Sequence, residues 1–267
     1  MLSKYADILD ELYLRHNQRE WVHPDPLEYL YGYADAADRE IVALLASCLA
    51  YGRVTQILRS VENVLKRLGP NPAEFLRGAS SKQLSILFAD FRHRFSGGEE
   101  FSGLLAGAGK ILRRYGSLQA CFREGLRESH ENVLPALEAF TRKLRDAAGQ
   151  NLGHLLPDVS AGSACKRLNL LLRWLVRRDD VDPGGWTDVP ARMLIVPLDT
   201  HMHRLSLEMG ATRRRQADLR TAVEITRAFA SLHPHDPVRY DFSLTRLGIH
   251  PRADMSAFLR LCRTRKG

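Results

Sequence analysis

The sequence predicts an all-α protein. Apolar residues recur at helical spacing along almost the whole chain, caps and stops bracket those stripes, and the alternating patterns and turn signals of strands and hairpins are missing. Of the 267 residues 45% are apolar, enough to fill a large core and to argue against a disordered chain. No internal repeat or low-complexity segment interrupts the pattern.

Taken in order, Leu2, Tyr5, Leu9, Leu12 and Tyr13 form the first stripe. Asp38 is placed to cap a helix carrying Ile41, Leu44, Leu45, Cys48 and Leu49. Ile57, Leu58, Val61, Val64, Leu65 and Leu68 make the next, stopped by Gly69-Pro70. Ser80 and Gln83 read as a capping box ahead of Leu84, Leu87 and Phe88. Phe101, Leu104, Leu105, Ile111 and Leu112 give a helix ending near Gly116, although Gly103, Gly107 and Gly109 weaken its intrinsic propensity. Val133, Leu134, Leu137, Phe140 and Leu144 give another, ending at Gly149. A helix from about Ser163 to Arg178 follows, then an irregular link over 179–198 containing Pro and Gly. Helices are expected over Asp199–Met209, stopped by Gly210, and over Gln216–Leu232. Asp236-Pro237 reads as a cap and a first-turn proline, opening a helix that ends at Gly248.

The longest apolar run, Ile41 to Tyr51, is shorter than the roughly 18 residues of a membrane span, and the acids near the N-terminus do not suit a leader peptide. A cytoplasmic protein with no membrane partner is the expectation. Cys48, Cys121, Cys165 and Cys262 are far apart, which argues for buried thiols rather than a zinc ribbon or an iron–sulfur cluster. The formal net charge is +8, of which residues 210–267 carry +7. A basic C-terminal quarter suits a polyanion such as nucleic acid, or is simply a solvated face.

The chemistry concentrates between Leu155 and Gly210. Lys166 lies near the start of a helix, where the dipole prefers acids. It reads as a surface lysine with a buried stem, as a phosphate contact, or as an amine nucleophile freed by a low-dielectric pocket and the neighbouring Arg167. Asp199 precedes the helix over 200–209 and reads as its N-cap. A capping carboxylate is rigidly held, and its second oxygen remains available to stabilise positive charge or orient a nucleophile. The helix after Lys166 is about 18 Å long and the 20-residue link can span about 66 Å, so the two side chains can meet.

This arrangement resembles the catalytic signature of the helix-hairpin-helix DNA glycosylases: a hairpin of the type Leu-Pro-x-Val-Gly, a lysine in the following helix, and a later Val-Asp-Thr-His-Val-x-Arg. Leu156-Pro157-Asp158-Val159 resembles the hairpin, Lys166 matches the lysine, Asp199 the aspartate and Arg204 the arginine. The 33-residue spacing from Lys166 to Asp199 is closer to the archaeal 8-oxoguanine DNA glycosylases than to the endonuclease III type. The run from Gly162 to Asn169 is similar to a bacterial family of unassigned function related to those enzymes. Glu40 to Arg53 resembles an early helix of the superfamily, and Tyr240-Asp241-Phe242 with Leu247-Gly248-Ile249 a late one. Two features depart from the pattern: Ser160 to Ser163 replaces the Gly-x-Gly of the hairpin, and the four-cysteine cluster of some relatives is missing.

The resemblance implies a single compact helical domain over 1–267 in two lobes, 39–198 with the hairpin and 1–38 plus 199–267, with an interlobe cleft. It implies a bifunctional glycosylase and abasic-site lyase that flips a damaged base, most simply oxidised guanine, out of double-stranded DNA and forms a Schiff base on Lys166 with Asp199 ionised beside it. Trp174, Trp186, Asp241, Tyr51 and Gln56 are candidates for the base pocket, each with packing or a surface turn as the alternative. Arg167, Arg204, Arg213, Arg214 and Arg215 are candidates for DNA contact. No cofactor or metal is implied, and a monomer is expected. Three rivals stand beside this. Asp199-x-His201-x-His203, with His233 and His235, suggests a metal hydrolase, but histidines two apart on a helix point about 200° apart. A non-catalytic helix-hairpin-helix DNA-binding protein would keep the basic surface, and a helical scaffold would need no DNA.

Overall fold

The computed structural model describes residues 2–265, which are predominantly helical. In chain order the helices are α1 (Ala6–His16), α2 (Ala36–Cys48), α3 (Val54–Leu68), α4 (Pro72–Gly78), α5 (Ser81–Leu87), α6 (Gly98–Tyr115), α7 (Leu118–Arg123) and α8 (Leu134–Ala148). They continue as α9 (Lys166–Val176), α10 (Thr200–Met209), α11 (Leu219–Ala230), α12 (Asp241–Ile249) and α13 (Met255–Thr264). Between α5 and α6 lie two short antiparallel strands, β1 (Arg92–His93) and β2 (Ser96–Gly97), with Arg92 opposite Gly97 and His93 opposite Ser96. That hairpin is missing from the sequence expectation. Two residues per strand are too few to show alternation, and its turn, Arg94-Phe95, contains no residue that signals one. No helix among the described residues is long and apolar enough to cross a membrane.

The chain forms two compact units, 24–160 and 2–23 with 161–265. The first is built around α6, which packs against α4, α5, α7 and α8. Its glycines are the reason it can. A Cβ on Gly107 would sit 2.9 Å from the carbonyl oxygen of Leu144 in α8, and one on Gly109 would collide with the carbonyl of Leu76 in α4. Their low propensity is outweighed by the close approach of two backbones. Buried acids join the other helices. Asp35, not Asp38, caps α2; Asp38 instead accepts the Ala73 N–H at 2.8 Å in the first turn of α4. Glu40 accepts the N–H groups of Leu118 and Gln119 at 2.8 and 2.9 Å, at the start of α7. Both carboxylates thereby satisfy donors that a helix cannot satisfy itself. The Ser80–Gln83 capping box forms as its sequence implies.

In the second unit, α12 packs against α1, α10 and α13. Its Gly248 lies against the ring of His201 in α10, where a Cβ would clash. A buried ionic network ties α9 to the C-terminal segments: Arg173 pairs with Asp182 at 3.2 Å and with Asp241, and Arg177 pairs with Asp182, with Asp179 at 2.8 Å and with Asp236 at 3.0 Å. This network explains two corrections. Residues 161–198 belong with 199–265 rather than with the preceding helices, so the division falls at 23/24 and 160/161 instead of 38/39 and 198/199. Asp236 serves Arg177 rather than capping a helix, so α12 begins at Asp241 and 237–240 is a turn. The four cysteines are buried thiols.

Candidate active site

Lys166 is the first residue of α9, and the chain entering it is held in an unusual conformation. Cys165, the N-cap, has φ 47°, a left-handed value that costs a residue with a side chain about 1–3 kcal/mol, and it offers no side-chain cap. Neighbours impose it. Ser163 bridges Asp218, the N-cap of α11, and the Leu219 N–H donates to the Gly162 carbonyl at 3.0 Å. From inside the helix, the amide of Asn169 donates to the Ala164 carbonyl at 3.1 Å. The loop before Lys166 is thus pinned on both sides.

Asp199 is fixed as firmly. The link before it buries Leu194, Ile195, Val196 and Leu198, and the Val196 N–H donates to Thr226 Oγ1 at 3.0 Å. Asp199 then caps α10: the N–H groups of His201 and Met202 both donate to Oδ1 at 2.9 Å. Its other oxygen, Oδ2, lies 3.2 Å from Lys166 Nζ. The side chains of Lys166 and Asp199 are 38% and 16% exposed, so the amine is reachable and the carboxylate largely shielded. A primary amine beside a carboxylate that is oriented by its own helix can attack a carbon electrophile while the anion stabilises the positive charge that develops.

The remaining candidates fall into different places. Asp241 is the first residue of α12 and fully buried; Arg173 donates to its Oδ2, while Oδ1 has no hydrogen-bond partner. Burial pushes its pKa up to about 6; Arg173 opposes the shift, and the charges of Asp199 and Asp182 add to it. Trp174 and Trp186 are buried core residues, and the indole N–H of Trp174 has no partner. Packing is what the structure assigns to both tryptophans. Tyr51 lies in the other unit with its hydroxyl on the His93 carbonyl and Ser96 Oγ, and Gln56 is exposed in the first turn of α3.

Among the arginines, Arg167 is half-buried beside Lys166, and Arg204, Arg213 and Arg215 are exposed. Arg214 is committed to its own loop, pairing with Asp218 at 2.5 Å and donating to Thr221 at 2.8 Å. The His-x-His pair is split: His203 Nε2 is engaged with the Arg214 carbonyl at 2.8 Å, whereas His201 packs on Gly248. Two residues that sequence reasoning passed over share the lysine's helix, Asn169 and Arg173. Their spacing of three and seven from Lys166 puts them on its face, which was the available signal. Asn169 is buried with its Oδ1 unpartnered.

A model of the family described as "Protein of unknown function (DUF2400)" matches residues 25–250, a span that contains both Lys166 and Asp199. No curated protein and no solved structure matches the chain.

Proposed function

The chain belongs to this family of unknown function, and we propose that it is a DNA base-excision glycosylase with an accompanying abasic-site lyase activity. The observation that carries the reading is the pairing of Lys166 Nζ with Asp199 Oδ2 at 3.2 Å while Oδ1 is held by two backbone N–H groups. On this reading the substrate is a damaged base, oxidised guanine by resemblance, in double-stranded DNA.

The base must leave the stack before its sugar is accessible. Asp199 accepts the proton that Lys166 gives up and passes it to solvent or to the departing base. The neutral amine then attacks C1′ as the C1′–N bond breaks, and the bonding electrons leave with the base. The ionised Asp199 stabilises the oxocarbenium-like charge. The attached nitrogen gives up a proton, the C1′–O4′ bond breaks with its electrons and that proton going to O4′, and a protonated imine between Nζ and C1′ remains. The imine acidifies the C2′ hydrogen, and its loss expels the 3′ phosphate by β-elimination. A lysine is the required residue because only an amine forms the imine. The net positive charge of 210–267 supplies attraction to the DNA backbone, with Arg213 and Arg215 exposed to meet phosphates.

The exposure of Lys166, more than a third of its side chain, also fits a lysine that only contacts phosphate in a non-catalytic DNA-binding protein. Cleavage assays on a duplex with a single 8-oxoguanine separate the two. The glycosylase–lyase reading expects strand cleavage without added alkali, and its loss in Lys166→Gln with binding retained. Binding with no cleavage by wild type, with or without alkali, contradicts it for this lesion and favours the binder.

A further inference from the structure

The β1–β2 hairpin in the 24–160 unit has the construction of a binding element that the Lys166 chemistry does not use. Its tip is Arg94-Phe95. Phe95 is 67% exposed, whereas phenylalanine is usually buried. The Arg94 guanidinium lies 5.3 Å from the Phe95 ring centroid and the His154 ring 5.1 Å from it. Arg94 has φ 54°, a left-handed backbone at a turn position where glycine is the usual residue. A strained arginine presenting a solvated phenylalanine costs stability, and such strain concentrates at binding sites.

The hairpin is also rigidly mounted. His93 is buried, with Nδ1 2.9 Å from Ser60 Oγ and Nε2 3.1 Å from the Tyr51 carbonyl. The Tyr51 hydroxyl donates to the His93 carbonyl at 3.0 Å and lies 2.7 Å from Ser96 Oγ. The Arg94 side chain runs over Gly52, where a Cβ would come within 2.5 Å of it. Behind the tip opens a polar cavity of about 870 Å³, lined by Arg92, Arg94 and Phe95 with Ser85, Glu99 and Gln150. Glu100 also borders it but is occupied, accepting the Gly97 N–H at 2.8 Å.

From this geometry we infer that the hairpin and its cavity bind one unpaired nucleotide of a DNA strand, separately from the Lys166 site. Phe95 supplies the face on which a base stacks, with the His154 ring tilted 43° beside it. Arg94 and Arg92 face the phosphate. The hydroxyl of Ser85, the carboxylate of Glu99 and the amide oxygen of Gln150, whose nitrogen donates to the Glu99 carbonyl at 2.7 Å, meet the polar edge of the base. The cavity is large enough for a nucleotide, and its polar walls suit a base rather than an apolar ligand. The occupant is nucleic acid because an aromatic face and cationic groups occur together at one tip, which is the combination that single strands recognise.

The test is fluorescence anisotropy with a labelled 12-nucleotide single strand containing 2-aminopurine and with the same sequence fully paired, using wild type, Phe95→Ala, Phe95→Trp and Arg94→Ala, all in a Lys166→Gln background. Phe95→Ala is expected to weaken single-strand binding about tenfold, the loss of one stacked base. Phe95→Trp retains affinity, and its indole emission is quenched on binding. Arg94→Ala lowers the slope of log K against log salt by about 0.7, one phosphate contact. Unchanged affinity in Phe95→Ala, or an equal loss on the fully paired duplex, overturns the inference. Lysine chemistry is absent from every sample, so failure here and failure of the glycosylase reading are distinguishable.

Discussion

Asp199 combines two demands in one side chain. Its Oδ1 satisfies two N–H donors of α10, which holds Oδ2 toward Lys166. Asparagine caps a helix as well as aspartate does but carries no charge. Asp199→Asn is therefore expected to unfold at the wild-type denaturant midpoint while base removal falls at least about 100-fold, the scale of a lost electrostatic stabiliser. Asp199→Ala loses the cap as well and about 1 kcal/mol of stability. Urea melts beside single-turnover assays check both; an Asp199→Asn protein with wild-type activity contradicts the assigned role. Asp241 makes a second prediction. Its pKa is raised to about 6 by burial, so the folded state holds its proton more tightly than the unfolded chain does. Ionisation thus costs stability above about pH 6, and that cost is relieved as pH falls toward the ordinary carboxylate value near 4. The stability of wild type relative to Asp241→Asn should rise as pH drops through this window, as read from urea melts at pH 4, 5 and 6. Lys166 and Asp199 were legible because their residue types and positions before or at helix starts are chemical signals. The choice between base pocket and packing for Asp241, Trp174 and Trp186 was not, since a sequence shows an aromatic or an acid but not the Arg173 that pairs with it or the core that encloses it.

At the scale of elements, apolar periodicity located the helices and misplaced some of their ends. The Ser80–Gln83 box and the Gly210 stop are local, so they could be read directly; Gly210 has the left-handed φ of 73° that a helix end favours. Asp38 and Asp236 could not. Each looks like a cap for its own helix, yet each is spent on a distant group, Ala73 N–H and Arg177. The glycines of α6 invert propensity in the same way. In an unconstrained helix Gly→Ala stabilises by about 1 kcal/mol. In Gly109→Ala the new methyl meets the Leu76 carbonyl, a backbone atom that cannot swing aside, so a destabilisation of about 1–3 kcal/mol is expected in urea melts. A stabilised variant would contradict the close packing of α4 on α6. The hairpin with Phe95 lay below the resolution of any pattern search, because it is two residues on each side of an atypical turn.

For the molecule as a whole, apolar periodicity pointed to a helical protein and the charge distribution to a basic C-terminal quarter, and the structure is predominantly helical. The units divide at 23/24 and 160/161 rather than at the expected 38/39 and 198/199, and the buried ion pairs of Arg173 and Arg177 within the second unit join segments that local sequence does not link. That same network keeps α9 in one unit with α10, so Lys166 and Asp199 belong to a single body and their pairing rests on its internal packing. The central claim is that this amine forms a Schiff base with a sugar carbon. Borohydride trapping measures it: wild type and Lys166→Gln are mixed with duplexes carrying an abasic site, 8-oxoguanine or no lesion, and covalent adducts are resolved by denaturing electrophoresis. Wild type is expected to give an adduct with the abasic and 8-oxoguanine duplexes and none with the undamaged duplex, and Lys166→Gln to give none. Folded wild-type protein that binds all three duplexes and gives no adduct on any of them would contradict the claim.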